Sequence, residues 1–389
     1  MSEKKTSNVM LIVSLCGLLA ASVGVCMNSM GIFYTPVSNS LQVKQGTFAL
    51  YTTISTFSVG MFQVVVPQRI RTDLFKKILI GGILLASVSV FGMSLAGNVY
   101  MFYVLAVLMG LGTSCFQTVV ITSILNKSIT ENLGSVTGLV LSFSGVAGAI
   151  CSPILSSLIT SVGWRNTYRV MALLIILCSL PAVFTPLHFE PAPKKEKSKD
   201  SPKEKISSRL VFILCLMCGM NIVAAMPQHF VGYSSTRGFG SNVGSLMLSA
   251  SMVGNICFKM LTGWLSDRVG IVKSAVCMLA LNVIGNVLLL IGGNSFMMIA
   301  GSFLYGAIYS ICAVTAVLLV KALFGIKQYT AMYSTLTFIA TVVYAIALSI
   351  IGYVYDFTGG YTSVLIFVMC LEGFGLFILL SINRLLKRN

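Results

Sequence analysis

The chain has 389 residues, of which 56% are hydrophobic and 9% charged, and its formal net charge is +16. An ordinary soluble domain carries about 25% charged residues. The composition therefore excludes a water-soluble globular protein and places the chain in a bilayer.

A helix needs roughly 20 mostly apolar residues to cross the hydrocarbon, and the sequence predicts about twelve such spans. They fall at 9–33, 46–67, 78–96, 99–125, 135–162, 167–187, 209–232, 241–265, 273–293, 295–323, 329–354 and 361–383. Membrane strands would alternate polar and apolar residues, and these runs do not. Span one follows Glu3, Lys4 and Lys5 and contains LAASVGVC, ending at Cys26. It runs well past the roughly 7–15 apolar residues of a secretory signal, so it reads as a first membrane helix. Span six is expected to be interrupted by Pro181.

Lysine and arginine set orientation. With a cytoplasmic amino terminus, 21 of the 26 basic residues lie inside, only Lys44, Arg165, Arg169 and Arg237 lie outside, and Lys259 is left in the membrane. Both termini are thus expected in the cytoplasm, and the positive charge reflects topology rather than affinity for nucleic acid. EPAPKKEKSKDSPKEKISSR, 190–209, is too polar to fold alone. It reads as a cytoplasmic linker, giving an amino-terminal six-helix bundle at 1–189, the linker at 190–208 and a second bundle at 209–389.

The halves echo each other. Gln68-Arg69 after span two matches Asp267-Arg268 after span eight at an offset of 199, and Gly163-Trp164 matches Gly360-Tyr361 at 197. Two matches at nearly one offset argue for parallel repeats.

G-W-L-S-D-R-V-G, Gly263 to Gly270, resembles the loop signature of the major facilitator superfamily. The resemblance covers the whole chain and implies an all-α membrane protein, twelve transmembrane helices in two pseudo-symmetric six-helix bundles. It also implies a transporter rather than an enzyme, working by alternating access with a monomeric functional unit. At a helix end, Asp267 and Arg268 are placed to pair with each other or with a neighbouring helix terminus, while Gly263 and Gly270 allow close approach and a tight turn. Such a cluster either latches one face shut or only fixes topology. The first half departs from the signature at Val64 and Gln68, so a latch there would rest on Arg69, Arg71 and Asp73. Ala106 stands where the superfamily often has an arginine in span four, which weakens arginine-dependent proton coupling at that place.

Lys259 is the conspicuous residue. A lysine at mid-membrane costs roughly 2.5–3.5 kcal/mol on insertion scales, so it marks a functional site by default. The alternative, snorkelling to the nearer interface, is opposed by the lean of helical side chains toward the amino terminus, here away from the cytoplasm. Ser251, Asn255 and Gly263 share its helix face. Hydroxyl, amide and ammonium together suit a carboxylate.

Asn255, Lys259 and Gly263 are similar to the span-eight pattern of monocarboxylate and oxalate/formate transporters, in which a basic residue binds the substrate carboxylate. Gly31-Ile32-Phe33 with Pro36, Pro227-Gln228-His229, Phe324-Gly325 with Lys327 and Tyr329, and Asp356 with Thr358-Gly359-Gly360-Tyr361 extend the similarity. The resemblance implies a small organic anion as substrate. Lysine offers a point charge rather than a bidentate fork, and Asn255 removes the carboxylate that those carriers usually place there. An unneutralised Lys259 would be relieved by an anion. Exchange, or symport with a proton, follows, because about 100 mV inside negative opposes entry of each negative charge by about 2.3 kcal/mol.

Further polar residues at membrane depth are Asn28, Tyr34, Gln117, Asn221, His229, Tyr305 and Tyr309, on the spans that line the path in the superfamily. Each serves either the ligand or hydrogen bonding between helices. Glu372 is the one carboxylate well inside a predicted span, either a proton carrier or a protonated or helix-paired group. The eleven cysteines, Cys215 and Cys218 of a C-x-x-C included, read as packing. There is no G-x-x-x-x-G-K-[ST] phosphate loop and only two histidines occur, so no cofactor, metal or hydrolytic chemistry is expected. The partners are a small organic anion, protons and the lipids of a bacterial cytoplasmic membrane. Two other readings stand beside this one: a proton-driven exporter of drugs or metabolites, suggested by GVAGAICSP with Gly145, Gly148 and Pro153, and a transporter-like sensor that binds without translocating.

Overall fold

The structure, a computed structural model, describes residues 2–65, 72–128, 133–185 and 208–387. Arg69, Arg71 and all of the predicted linker except Ser208 lie outside the described residues, and of Asp73 the backbone alone is described. Among the described residues every regular element is helical. In chain order these are α1 (Ser2–Leu19), α2 (Tyr34–Leu41), α3 (Gln45–Val65), α4 (Thr72–Leu95), α5 (Val99–Ser114), α6 (Thr118–Ser128), α7 (Leu133–Phe184) and α8 (Ser208–Val223). There follow α9 (Phe230–Thr236), α10 (Gly240–Val269), α11 (Ile271–Ile291), α12 (Ser295–Tyr305), α13 (Ile308–Ser310), α14 (Ala316–Thr358) and α15 (Thr362–Lys387).

Ten described segments are long and apolar enough to cross a membrane. One of them, 139–184, lies in α7 and holds two predicted spans, divided at Gly163, whose φ of 82° and ψ of 159° no continuous helix adopts. Pro181 does not interrupt span six as expected. α7 runs past it to Phe184, and the carbonyl of Pro181 still accepts from the amide of Thr185 at 3.0 Å. A proline removes only its own N–H and crowds one carbonyl behind it, and three residues before a helix end little remains to disrupt.

Buried apolar side chains gather into two cores. One is built almost wholly from residues 11–182 with Val231, Leu248 and Met252 added, and the other from residues 213–382. The opposite sides of the helices are greasy and uncovered: Leu84, Val88, Phe91 and Leu95 run down one face of α4, and Phe367, Phe374 and Phe377 down α15. In water such stripes would drive aggregation; against lipid tails they cost nothing.

Burial of apolar area does not hold membrane helices to each other, so close packing must. A Cβ added to Gly112 would meet the Ala86 amide nitrogen at 2.6 Å, and one on Gly285 the Gly301 carbonyl at 2.6 Å. Both halves thus cross neighbouring helices on glycine. Helix ends are matched as well. Asn98 and Asn294, 196 residues apart, each accept from the amide two residues into the following helix, Met101 at 3.0 Å and Met297 at 2.8 Å, an N-cap in both halves. Arg165 donates to the carbonyls of Ser94 and Ala96, both at 3.0 Å, at the carboxyl end of α4, and stacks on Trp164. Arg237 donates to Leu290 at the same end of α11. Each arginine satisfies carbonyls that the last turn leaves open and sits at the negative pole of a helix.

Candidate functional site

Four predicted spans break near their middles. The first passes from α1 into a π-turn at Ala20–Val25, a non-helical stretch and a 3-10 turn at Met30–Phe33 before α2. The fourth breaks between α5 and α6. The seventh leaves α8 at Val223 and resumes through the 3-10 turn Met226–His229 into α9. The tenth breaks after Tyr305 and passes through α13 and a second π-turn at Ile311–Thr315. Irregular backbone at membrane depth persists only where protein or a wet cavity surrounds it, and π-turns cluster at functional sites. Four breaks at similar depth mark the centre of the molecule.

The predicted polar residues sit at these breaks. Asn28 lies in the first and donates to the Ser144 carbonyl at 3.1 Å, with Gly148 making room for it. Gln117 lies in the second, its amide nitrogen 2.8 Å from the sulfur of Met27. Asn221 precedes the third by one turn and bonds back to the Met217 carbonyl at 2.8 Å. His229 closes the third. Its Nε2 is 2.9 Å from the Leu348 carbonyl, and its buried Nδ1 has no partner. Tyr305 and Tyr309 flank the fourth. Tyr305 is turned into its own bundle and donates to the Val223 carbonyl at 2.9 Å, whereas Tyr309 packs against both cores with its hydroxyl unpartnered.

Tyr34 is the predicted residue that lines the central cavity, where its hydroxyl meets Thr52 at 2.8 Å and its ring lies 5.1 Å from that of His229. Met27, Met30, Thr56, Gln228, Tyr344 and Leu348 complete the wall. The free volume, ≈ 10 Å³, holds about one water, so the halves are packed together at this level.

Lys259 is not part of that wall. It is half-buried on α10, beside Cys312 in the π-turn of the tenth span, and among the described residues it has no hydrogen-bond or ion-pair partner. One turn toward the cavity, Asn255 is buried with its side-chain oxygen unpartnered, and Ser251 bonds to its own helix at Leu248. α10 lies tight against the tenth span here: a Cβ on Gly306 would meet the Asn255 amide at 2.7 Å.

The signature residues lie at the end of the molecule that carries the chain termini. Gly270, with φ of 91°, makes the tight turn between α10 and α11. A Cβ on Gly263 would meet open space, so among the described residues nothing packs closely against it. Asp267 and Arg268 are exposed and do not pair with each other; Arg268 stacks on Trp264, 4.2 Å from the ring centre. At the opposite end the two halves interlock. There Asp356 of α14 accepts from the amides of Gln45 and Gly46, and between that end and the central cavity Gly31 donates to Gln228 at 3.0 Å and Ser249 donates to Ala149 at 2.7 Å. Sequence reasoning noted Asp356 and Gln228 only as motif residues. Neither breaks hydrophobic periodicity, so nothing in the pattern announced their contacts.

The profile of the Major Facilitator Superfamily matches residues 15–245 and 210–387. The chain belongs to this superfamily. Among its relatives are monocarboxylate transporter 12 of Mus musculus, 23% identical over 80% of this chain and 72% of that protein, and its Rattus norvegicus counterpart, 24% identical over the same shares. An uncharacterised transporter of the superfamily from Bacillus subtilis, YcxA, is 23% identical over 62% of this chain and 61% of its own. The fold is that of the nucleoside transporter NupG (TM-score 0.71, 11% identity, 98% of this chain and 99% of that one). It is also that of a bacterial homologue of the lysosomal transporter Spinster in an inward-facing, occupied conformation (TM-score 0.68, 13% identity, 98% and 97%). This member of the superfamily is a non-enzymatic, multi-pass membrane transporter that resembles the monocarboxylate transporters.

Proposed function

We propose that the protein is a secondary transporter of small organic anions, of monocarboxylate or dicarboxylate type, and that Lys259 is the cation that draws the anion in. The observation that carries this reading is a lysine within a membrane helix that no side chain among the described residues neutralises, next to an asparagine oxygen without a donor and four broken helices. A protonated ammonium has three N–H groups to offer, and a carboxylate would take them while a hydroxyl or bound water on the ligand satisfied Asn255. The relatives named for monocarboxylate transport support the substrate class.

The two bundles, 1–189 and 209–389, would rock about the central breaks, with twelve spans in all and both termini in the cytoplasm. The interlocked end then faces outward, and the state described is closed outward, with the exposed Asp267-Arg268 turn at the cytoplasmic end. Transport proceeds by anion exchange or proton symport.

The test is uptake of labelled oxalate, formate, lactate and pyruvate into proteoliposomes, with and without internal anion, for wild type, Lys259→Ala and Lys259→Arg. Uptake accelerated by internal anion, lost in the alanine variant and partly restored by arginine, is the expected outcome. Equal flux in Lys259→Ala would remove the site assignment, and no flux with any of the four would favour the exporter or the sensor.

A further inference from the structure

The second bundle contains a polar cluster that is not part of the central cavity wall. Glu372 lies near the middle of α15 and is completely buried. It is ten residues from Thr362, about 15 Å along the helix. Asn286 faces it from α11, and Asn282 lies one helical turn before Asn286 on that helix; both are fully buried. Asn286 donates its amide to the Leu365 carbonyl at 3.3 Å and lies 3.5 Å from Oε2 of Glu372; Asn282 donates to the Tyr305 carbonyl at 2.8 Å. These donations fix which side of each amide is nitrogen. The consequence is three buried oxygens with no donor: Oδ1 of Asn282, Oδ1 of Asn286 and Oε1 of Glu372.

Among the described residues nothing else nearby supplies the missing hydrogen. The single hydroxyl hydrogen of Tyr305, the titratable group nearest on α12, is spent on the Val223 carbonyl. From α8, Leu216 and Met220 pack at Gly375, one turn along from the carboxyl; Cys215 and Cys218 on that helix are free thiols. α14 meets this helix at its far end through the stack of Tyr355 on Tyr361. Among the described residues no lysine, arginine or histidine faces the carboxyl. An isolated buried carboxylate is far more costly than a neutral acid, and a protonated carboxyl is a donor as well as an acceptor.

We propose that Glu372, with Asn282 and Asn286, forms a proton-binding site inside the carboxy-terminal bundle. A proton taken from bulk water binds at Oε1 and is donated to an orphaned amide oxygen; its release back to water leaves the carboxylate held by the N–H of Asn286. The site is separate from Lys259 and from the central cavity, and it stands whether or not the substrate is an anion. It gives the bundle that carries Lys259 a second group able to take and release a positive charge.

Infrared difference spectra, acidic minus alkaline buffer, of the full-length protein in potassium-containing lipid vesicles test this without any substrate. The carbonyl stretch of an un-ionised carboxylic acid, sensitive to deuterium exchange, should be present at acidic pH, disappear at alkaline pH and be missing from Glu372→Gln, which mimics the neutral acid and should fold. In Asn286→Ala the band should persist at a shifted frequency, a readout that needs Glu372 intact. Three results would overturn the proposal: a wild type with no pH-dependent band, a band unchanged in Glu372→Gln, or a band that sodium in place of potassium abolishes at constant pH. The last would make this a sodium site.

Discussion

The carboxylate of Asp356 lies 2.8 Å from the backbone nitrogen of Gly46, with its other oxygen 3.3 Å from that of Gln45. An acidic side chain from one half of the transporter thus caps the first turn of a helix in the other, where unsatisfied N–H groups and the positive end of the helix dipole favour a negative charge. Beneath it Thr53 donates to the Ala345 carbonyl at 2.5 Å and meets the Ser349 hydroxyl at 2.7 Å. Losing a cap typically costs about 0.5–2 kcal/mol, which shifts a two-state equilibrium severalfold. Asp356→Ala is therefore expected to speed hydrogen exchange in peptides spanning 45–53, and Asp356→Asn to do so less. Unchanged protection in both would mean that the contact holds nothing shut.

Lys259 should cost stability. If it is unneutralised without substrate, Lys259→Met in the absence of anion is expected to raise Tm in detergent, with about 2.5–3.5 kcal/mol as the upper bound from insertion scales. The same variant should gain nothing further from added anion. A lower Tm for Lys259→Met would mean that the ammonium has a favourable partner.

Arg165 should contribute stability. Hydrogen bonds to charged groups contribute about 1.5–3 kcal/mol, and Arg165 makes two, to Ser94 and Ala96. Arg165→Ala is expected to lower Tm by several degrees, with Arg165→Lys falling between. A silent alanine would show that the end of α4 is satisfied by water instead.

Closure at the interlocked end depends on side-chain-free backbone. A Cβ on Gly352 would meet Cα of Gly46 at 2.7 Å, and one on Gly31 would overlap the Gln228 carbonyl. Gly352→Val is expected to hold this end open: transport falls at least tenfold, exchange rises in 45–53 and 352–358, and expression is retained because each bundle keeps its own core. Full activity would show that the two helices do not need to touch.

Hydropathy made most spans legible. The span predicted at 241–265 is α10, Gly240–Val269, and that at 273–293 is α11, Ile271–Ile291. The breaks stayed hidden, because AASVGV and ICAVT are as apolar as the helices around them and a π-turn changes hydrogen bonding rather than composition. Pro227 and Gly306 were the available signs. The polar residues at the breaks were found for a different reason: a buried amide or imidazole in an apolar run stands out wherever the backbone goes. Lys259 stood out in the same way, but its lack of partners among the described residues is a three-dimensional fact. Asn282 and Asn286 drew no attention, since single asparagines in membrane helices mostly join neighbours. Only their unsatisfied oxygens set them apart.

Part of the seam between the halves is glycine against main chain, Gly46 on Gly352 at the interlocked end and Gly31 on Gln228 beside the central cavity. Interdigitated side chains would have to be withdrawn from their sockets before the halves parted, whereas smooth surfaces separate by a small tilt. Once parted, the same glycines expose bare peptide groups, which water wets readily. In the proposed rocking motion these glycine patches would thus already be suited to the wall of an aqueous vestibule, while the Asp356 and Thr53 contacts would be the ones to break.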